Sequence, residues 1–204
     1  WQTGDDIGRR IASGGVIQPF IAPDGQHIAF TRGPAGIADS LWVVDVAGTA
    51  ERQLAGGDET PAFQTGTHLI GDVQWYDATA LYFNTAERQM PAPTPRDDLY
   101  RANINTREVA LILPAGEGGA FSISPDQNWI AVASAGTYGR QDGAIRAIDP
   151  LAQNPARRLL FYIGVATGGH SPFYPHLQWT PDSQAILTSI PDADLLYSDA
   201  DGGE

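Results

Sequence analysis

A short stretch recurs along this chain and limits it to folds assembled from equal units. VIQPFIAPDGQHIAFTR at Val16–Arg32 returns as GAFSISPDQNWIAVAS at Gly119–Ser134 and as YPHLQWTPDSQAILTS at Tyr174–Ser189. A degenerate copy, GDVQWYDATALYFNT at Gly71–Thr85, keeps the acidic residue and the apolar pair after it without the proline. Asp24, Asp77, Asp126 and Asp182 mark the four copies, at spacings of 53, 49 and 56 residues. Each copy precedes a second apolar run that ends in a polar turn: SLWVVDVAG at Ser40–Gly48, DLYRANINT at Asp98–Thr106, GAIRAIDP at Gly143–Pro150 and DLLYSDADG at Asp194–Gly202.

Within a unit the order is strand, tight turn, strand, variable loop, strand, tight turn, strand. Pro-Asp-Gly between apolar runs is a turn with a mechanism: Pro pre-sets φ, Asp bonds the backbone ahead, and Gly accepts positive φ. Helical periodicity is nearly absent, and Gly and Pro interrupt the chain too often for long helices. Four short strands per unit of roughly 40 to 55 residues predict an all-β β-propeller built from four-stranded antiparallel blades. The units are 16–58, 70–114 and 119–161, then an incomplete fourth at 174–204. Residues 1–15, WQTGDDIGRRIASGG, align without gaps to Val44–Asp58, so a strand expected near Ile7–Ala12 completes a blade. Sixteen strands, four blades' worth, follow from this count. Either the N-terminal strand closes the last blade, or the chain is a stretch of a six- to eight-bladed ring.

The unit, with Ala22-Pro23-Asp24-Gly25, Ile28-Ala29-Phe30, Leu41-Trp42-Val43, Asp45, Gly48 and Arg52-Gln53-Leu54 as its clearest copy, resembles the WD40-like PD40 repeat of TolB-like β-propellers. The same repeat occurs in the propeller domains of prolyl-oligopeptidase-type peptidases. The resemblance covers most of the chain and implies a fold, with only a range of functions attached. It departs at the lost proline of the second unit and at the unmatched segments Thr85–Asp98 and Phe161–Phe173. It also implies a periplasmic, extracellular or cell-surface location.

Composition removes several function classes. The 204 residues carry 24 acidic and 12 basic side chains, for a net charge of −12, and no Lys occurs. Such a surface is unsuited to nucleic acid, which is held by dense Lys/Arg contacts. Without Cys there is no disulfide framework, thiolate metal site or cysteine nucleophile. No apolar run approaches the roughly 18 residues of a membrane helix. No GxSxG elbow exists, and His27, His68, His170 and His176 follow no metal-binding spacing, so no catalytic residue, metal centre or cofactor is expected. Asp199-x-Asp201-Gly, with Glu204 beyond it, resembles the start of a calcium loop without the rest of the pattern. Asp199 also stands where Asp45 does in the first unit, so a turn already accounts for it.

The loops point to one face. Turns between first and second and between third and fourth strands are short, whereas Thr31–Ser40, Ala55–Asp72, Thr85–Asp98, Ala135–Asp142 and Phe161–Phe173 all fall at the opposite end of the blades. Loops on a rigid scaffold concentrate binding residues. Phe63, Arg88, Met90, Arg96, Tyr138, Arg140, Tyr162, Phe173 and Tyr174 are the aromatic, Met and Arg candidates on that face. The expected function is a non-catalytic scaffold that binds a protein or peptide partner through this face. The alternatives are the gating propeller of a larger serine hydrolase and a carbohydrate- or calcium-binding propeller. Open blade edges also allow a homodimer or larger assembly.

Overall fold

The computed structural model describes residues 10–56, 68–87, 97–134, 142–163 and 174–190. Among them the chain is a row of antiparallel sheets. The first holds β1 (Val16–Ile21), β2 (His27–Arg32), β3 (Ser40–Asp45) and β4 (Arg52–Gly56); the second β5 (His68–Trp75), β6 (Ala80–Glu87), β7 (Leu99–Asn103) and β8 (Val109–Leu113). The third holds β9 (Ala120–Ile123), β10 (Ile130–Ser134), β11 (Asp142–Ile148) and β12 (Arg157–Ile163), and β13 (His176–Trp179) pairs with β14 (Ile186–Ser189). Every sheet is a meander of sequence neighbours, as expected for propeller blades. Of the strand expected at Ile7–Ala12, residues 10–12 carry no strand pairing and the others lie outside the described residues, as does the third strand expected in the last unit.

The tight turns show why one acidic residue recurs. The Asp24 carboxylate accepts the Gln26 N–H at 2.9 Å, Asp126 that of Asn128 at 3.1 Å, and Asp182 that of Gln184 at 3.1 Å. The next position has a positive φ of 65° at Gly25, 61° at Gln127 and 60° at Ser183. The carboxylate locks the turn firmly enough that glycine is dispensable in two of three copies. In the second blade the lost proline is a shortening of the turn by one residue. Asp77 compensates by accepting both the Thr79 N–H at 2.6 Å and the Ala80 N–H at 2.8 Å. Hydrogen bonds hold Asp24, Asp126 and Asp182 below the ordinary Asp range: chiefly the Gln26 N–H for the first, the Ser124 hydroxyl for the second and the Thr180 hydroxyl for the third.

Side chains alternate along the strands, so the second and third sheets bury both faces. Leu41 and Val43 of the first blade meet Leu81, Phe83 and Ala102 of the second. The opposite face of the second sheet sends Tyr82 and Leu99 against Ile130 and Val132 of the third. Ala131 and Ile145, on the far face of the third, pack with Leu177 of β13. On the outer face of the first sheet Arg32 stacks on Trp42 at 4.4 Å, pairs with Glu51 at 2.9 Å and donates to the Ser13 carbonyl at 2.7 Å.

Polar latches between first strands set the angle from blade to blade. The Trp75 indole donates to the Phe20 carbonyl at 2.9 Å, and the Trp179 indole to the Ser122 carbonyl at 2.8 Å. Between the second and third blades the register puts Ile123 where the others have Trp, and Gln74 takes over from the other side. Its amide donates to the Phe121 carbonyl at 2.7 Å and accepts the Ile123 N–H at 3.2 Å. At the outer edge Arg52 of β4 reaches the Ile104 carbonyl of the next blade at 2.9 Å.

Gly118 and Gly119, between the second and third blades, are close-approach positions. A Cβ on Gly118 would stand 2.2 Å from the Asp98 carbonyl oxygen, and one on Gly119, at φ 150°, 1.9 Å from that of Ala133. Asp98, 7% exposed, closes the end of the β6–β7 pair by accepting the Thr85 N–H at 2.6 Å and the Thr85 hydroxyl. Burial raises its carboxyl above the ordinary range, against the opposing pull of the Thr85 bonds.

Two outcomes follow. Replacing Gln74 by Leu leaves the Phe121 carbonyl and the Ile123 N–H unpaired and lowers unfolding free energy by about 2 kcal/mol in urea titration. For Asp98 the folded state binds the proton more tightly than the unfolded one, so its contribution diminishes as pH rises from the ordinary Asp range through the raised value. The Asp98→Asn variant, which keeps an acceptor for Thr85, therefore gains stability relative to the native chain as pH is raised from about 4 to 7. The turn carboxylates act in the opposite sense, their stabilisation being lost as pH falls through their lowered values.

Candidate binding site

The first strands stand side by side in the order β1, β5, β9, β13 and curve around a cavity of about 1030 Å³. Its walls come from the starts of these strands, the ends of β2 and β6 and the loop at 36–38. These are the ends of the blades that carry the long connections, so the cavity opens on the loop-rich face.

One local irregularity shapes the wall. The β5–β6 register shifts between Ile70 and Val73, leaving Gly71 and Asp72 as a bulge. A bulge re-aims a side chain that regular alternation would have placed elsewhere. Here it is held by Asn84, fully buried on β6, whose carbonyl oxygen accepts the Asp72 N–H at 2.7 Å and whose amide donates to the Gly119 carbonyl at 2.8 Å. Asn84 thereby ties the bulge of one blade to the entry of the next, and the missing side chain of Gly119 leaves the backbone room to approach Ala133. Asp72 is exposed and lines the cavity.

Around Asp72 the lining is mixed. Gln18 and His176 are exposed polar groups, set among Ile17, Ile37, Leu69 and Leu177. No Arg among the described residues contributes to the wall. Among the described residues no group of three His or acidic side chains is arranged to hold a metal ion. A carboxylate, an imidazole and amides above an apolar floor suit a ligand that offers hydrogen-bond donors or positive charge together with apolar groups.

Of the residues expected from the sequence, Tyr174 lies in this wall. Tyr162 falls on β12, where the backbone alone is described. Phe63, Arg88, Met90, Arg96, Tyr138, Arg140 and Phe173 lie outside the described residues, as do Asp199, Asp201 and Glu204 of the calcium candidate. Sequence reasoning passed over Asp72, Asn84 and Gln18, and weighed His176 only as a metal ligand. A signal for the first two was present: an Asn interrupts the apolar second strand of the degenerate unit, and a Gly-Asp interrupts its first.

No protein-family model and no curated protein matches the chain in sequence. Among solved structures it is similar to an oligogalacturonate lyase in complex with manganese, at a TM-score of 0.56 and 20% identity over 85% of this chain and 44% of that one. It is similar to TolB from Acinetobacter baumannii at 0.53 and 14% identity, over 90% of this chain and 40% of the other. A Mycobacterium tuberculosis puromycin-hydrolyzing peptidase matches at 0.52 and 14% identity, over 90% and 32%. The chain thus spans less than half the length of each. At such identities the likeness speaks for the fold alone, and together with the blades and the repeat it shows a β-propeller fold like that of TolB.

Proposed function

We propose that the chain is a binding propeller that receives an extended segment of a protein or peptide at its loop-rich face. The observation that carries this reading is the cavity between the first strands, with Asp72 set into it by a bulge that a buried Asn secures. A scaffold that fixes the backbone of an acidic residue in the wall, beside exposed Gln18 and His176 and among apolar side chains, is suited to hold a ligand in one register. The partner segment carries Lys or Arg next to an apolar residue, matching a wall whose described residues include Asp72 and no Arg. Binding needs no chemistry from this chain. A periplasmic or cell-surface location goes with this reading.

A second reading is favoured by the share of the peptidase chain that the match occupies, 32%. In it this propeller is one part of a larger hydrolase and the cavity is the passage to a catalytic domain.

Selection of displayed peptides on the immobilised chain, followed by calorimetry, separates the two. The binding reading expects basic-apolar peptides whose affinity falls about tenfold with Asp72→Asn, the loss of one charge-assisted hydrogen bond. Peptides that bind equally well to Asp72→Asn and Tyr174→Ala overturn it. The hydrolase reading expects peptide cleavage by the protein that the complete reading frame encodes.

A further inference from the structure

Of the four first strands that are described, two are irregular at the cavity, and those two are neighbours. In β1 the register runs from Val16 opposite Arg32 to Gln18 opposite Thr31, which leaves Ile17 as an extra residue. In β5 the extra residues are Gly71 and Asp72. β9 and β13 pair with their second strands without a break. Bulges re-aim side chains and gather beside binding sites. Here one bulge brings an aliphatic residue to the cavity wall and the other an acidic one.

A loop joins the two. After β2 the chain turns through Pro34–Gly36, where the Ile37 N–H donates to the Pro34 carbonyl at 3.0 Å and the Asp39 N–H to the Arg32 carbonyl at 3.1 Å. The loop folds back so closely that a Cβ on Gly33 would stand 1.8 Å from the Ile37 carbonyl oxygen. Ala38 packs on the core between the first and second blades, and its carbonyl accepts the Ile70 N–H at 2.7 Å. Ile70 is the last paired residue before the bulge of β5. The loop that carries Ile37 and the bulge that carries Asp72 are thus tied by a backbone hydrogen bond one residue from the first and two from the second. Ile17 and Ile37 both line the cavity, at 39% and 37% exposure. Their β-branched side chains are stiff at χ1 and lose little freedom when a ligand packs on them.

We infer that Ile17 and Ile37 form the apolar subsite that accompanies Asp72, and that position 37 decides which residue the partner segment carries there. The inference rests on the reading of the cavity as a peptide site and adds to it where each residue sits: the apolar one on the first-blade side of the gap between β1 and β5, the basic one on the second-blade side. An aliphatic wall favours an apolar residue and disfavours a charged one, whose desolvation nothing there offsets. A change of chemistry at position 37 therefore changes the partner while the requirement for a basic residue opposite Asp72 stays in place.

The test repeats the peptide selection with Ile37→Glu, checked for the native circular dichroism. The native chain is expected to enrich peptides with one basic and one apolar residue, and Ile37→Glu to enrich peptides with a second basic residue in place of the apolar one, still dependent on Asp72. In calorimetry, alanine in place of the apolar residue of a selected peptide is expected to lower affinity about tenfold for the native chain and less than about twofold for a double variant, Ile17→Ala with Ile37→Ala. That double variant introduces no charge and decides the matter should Ile37→Glu not fold. Unchanged peptide preference in Ile37→Glu, or an undiminished effect of the peptide alanine in the double variant, overturns the subsite, and the peptide reading stands if Asp72→Asn still weakens binding. A native chain that enriches no basic peptide overturns both.

Discussion

The hydrogen bonds between first strands are the constraint on which the cavity depends. Apolar packing between blades is non-directional and tolerates a range of angles, whereas an indole aimed at one carbonyl does not. Trp75, Gln74 and Trp179 each fix one joint near the axis, and a change of angle there would be magnified at the outer strands. The cavity wall is a row of short strands whose relative tilt these few side chains determine.

The second blade does the most structural work. It receives the first through Trp75, holds the third through Gln74 and Tyr82, and carries the bulge that Asn84 ties to Gly119. It is also the unit whose repeat is most degraded, having lost the turn proline and gained Gly71-Asp72. Departure from the repeat and concentration of special contacts coincide in one blade. Local rules are expected to be broken where a site imposes its own demands.

The blade rhythm was legible because a turn with fixed stereochemistry needs a particular residue at a particular place, and Asp24, Asp126 and Asp182 meet that need by the same bond. Tyr174 was expected on the loop-rich face, where aromatic residues beside long connections often face a ligand, and it lies in the cavity wall. Asp72 was hidden: in a regular strand it would be one more polar residue in an alternating pattern, and only the register reveals the bulge. The latches were hidden as well. Sequence alone does not say that the polar atoms of Trp75, Trp179 and Gln74 meet backbone groups some fifty residues away. The lack of side chains at Gly118-Gly119 is what lets the chain pass close to Asp98 and Ala133.

Trp75 and Trp179 end the first strands of the second and fourth blades where Ile21 and Ile123 end those of the first and third, and this alternation has an evolutionary consequence. Like kinds recur at 102 residues from Asp24 to Asp126 and at 105 from Asp77 to Asp182, so the heritable module is a pair of blades. Loss of a single blade would bring Phe20 beside Ile123, two strands with no side chain able to bridge them. Gene duplication or deletion in such a lineage is therefore tolerated in even steps, and ring sizes that differ by one blade are separated by an unlatched intermediate.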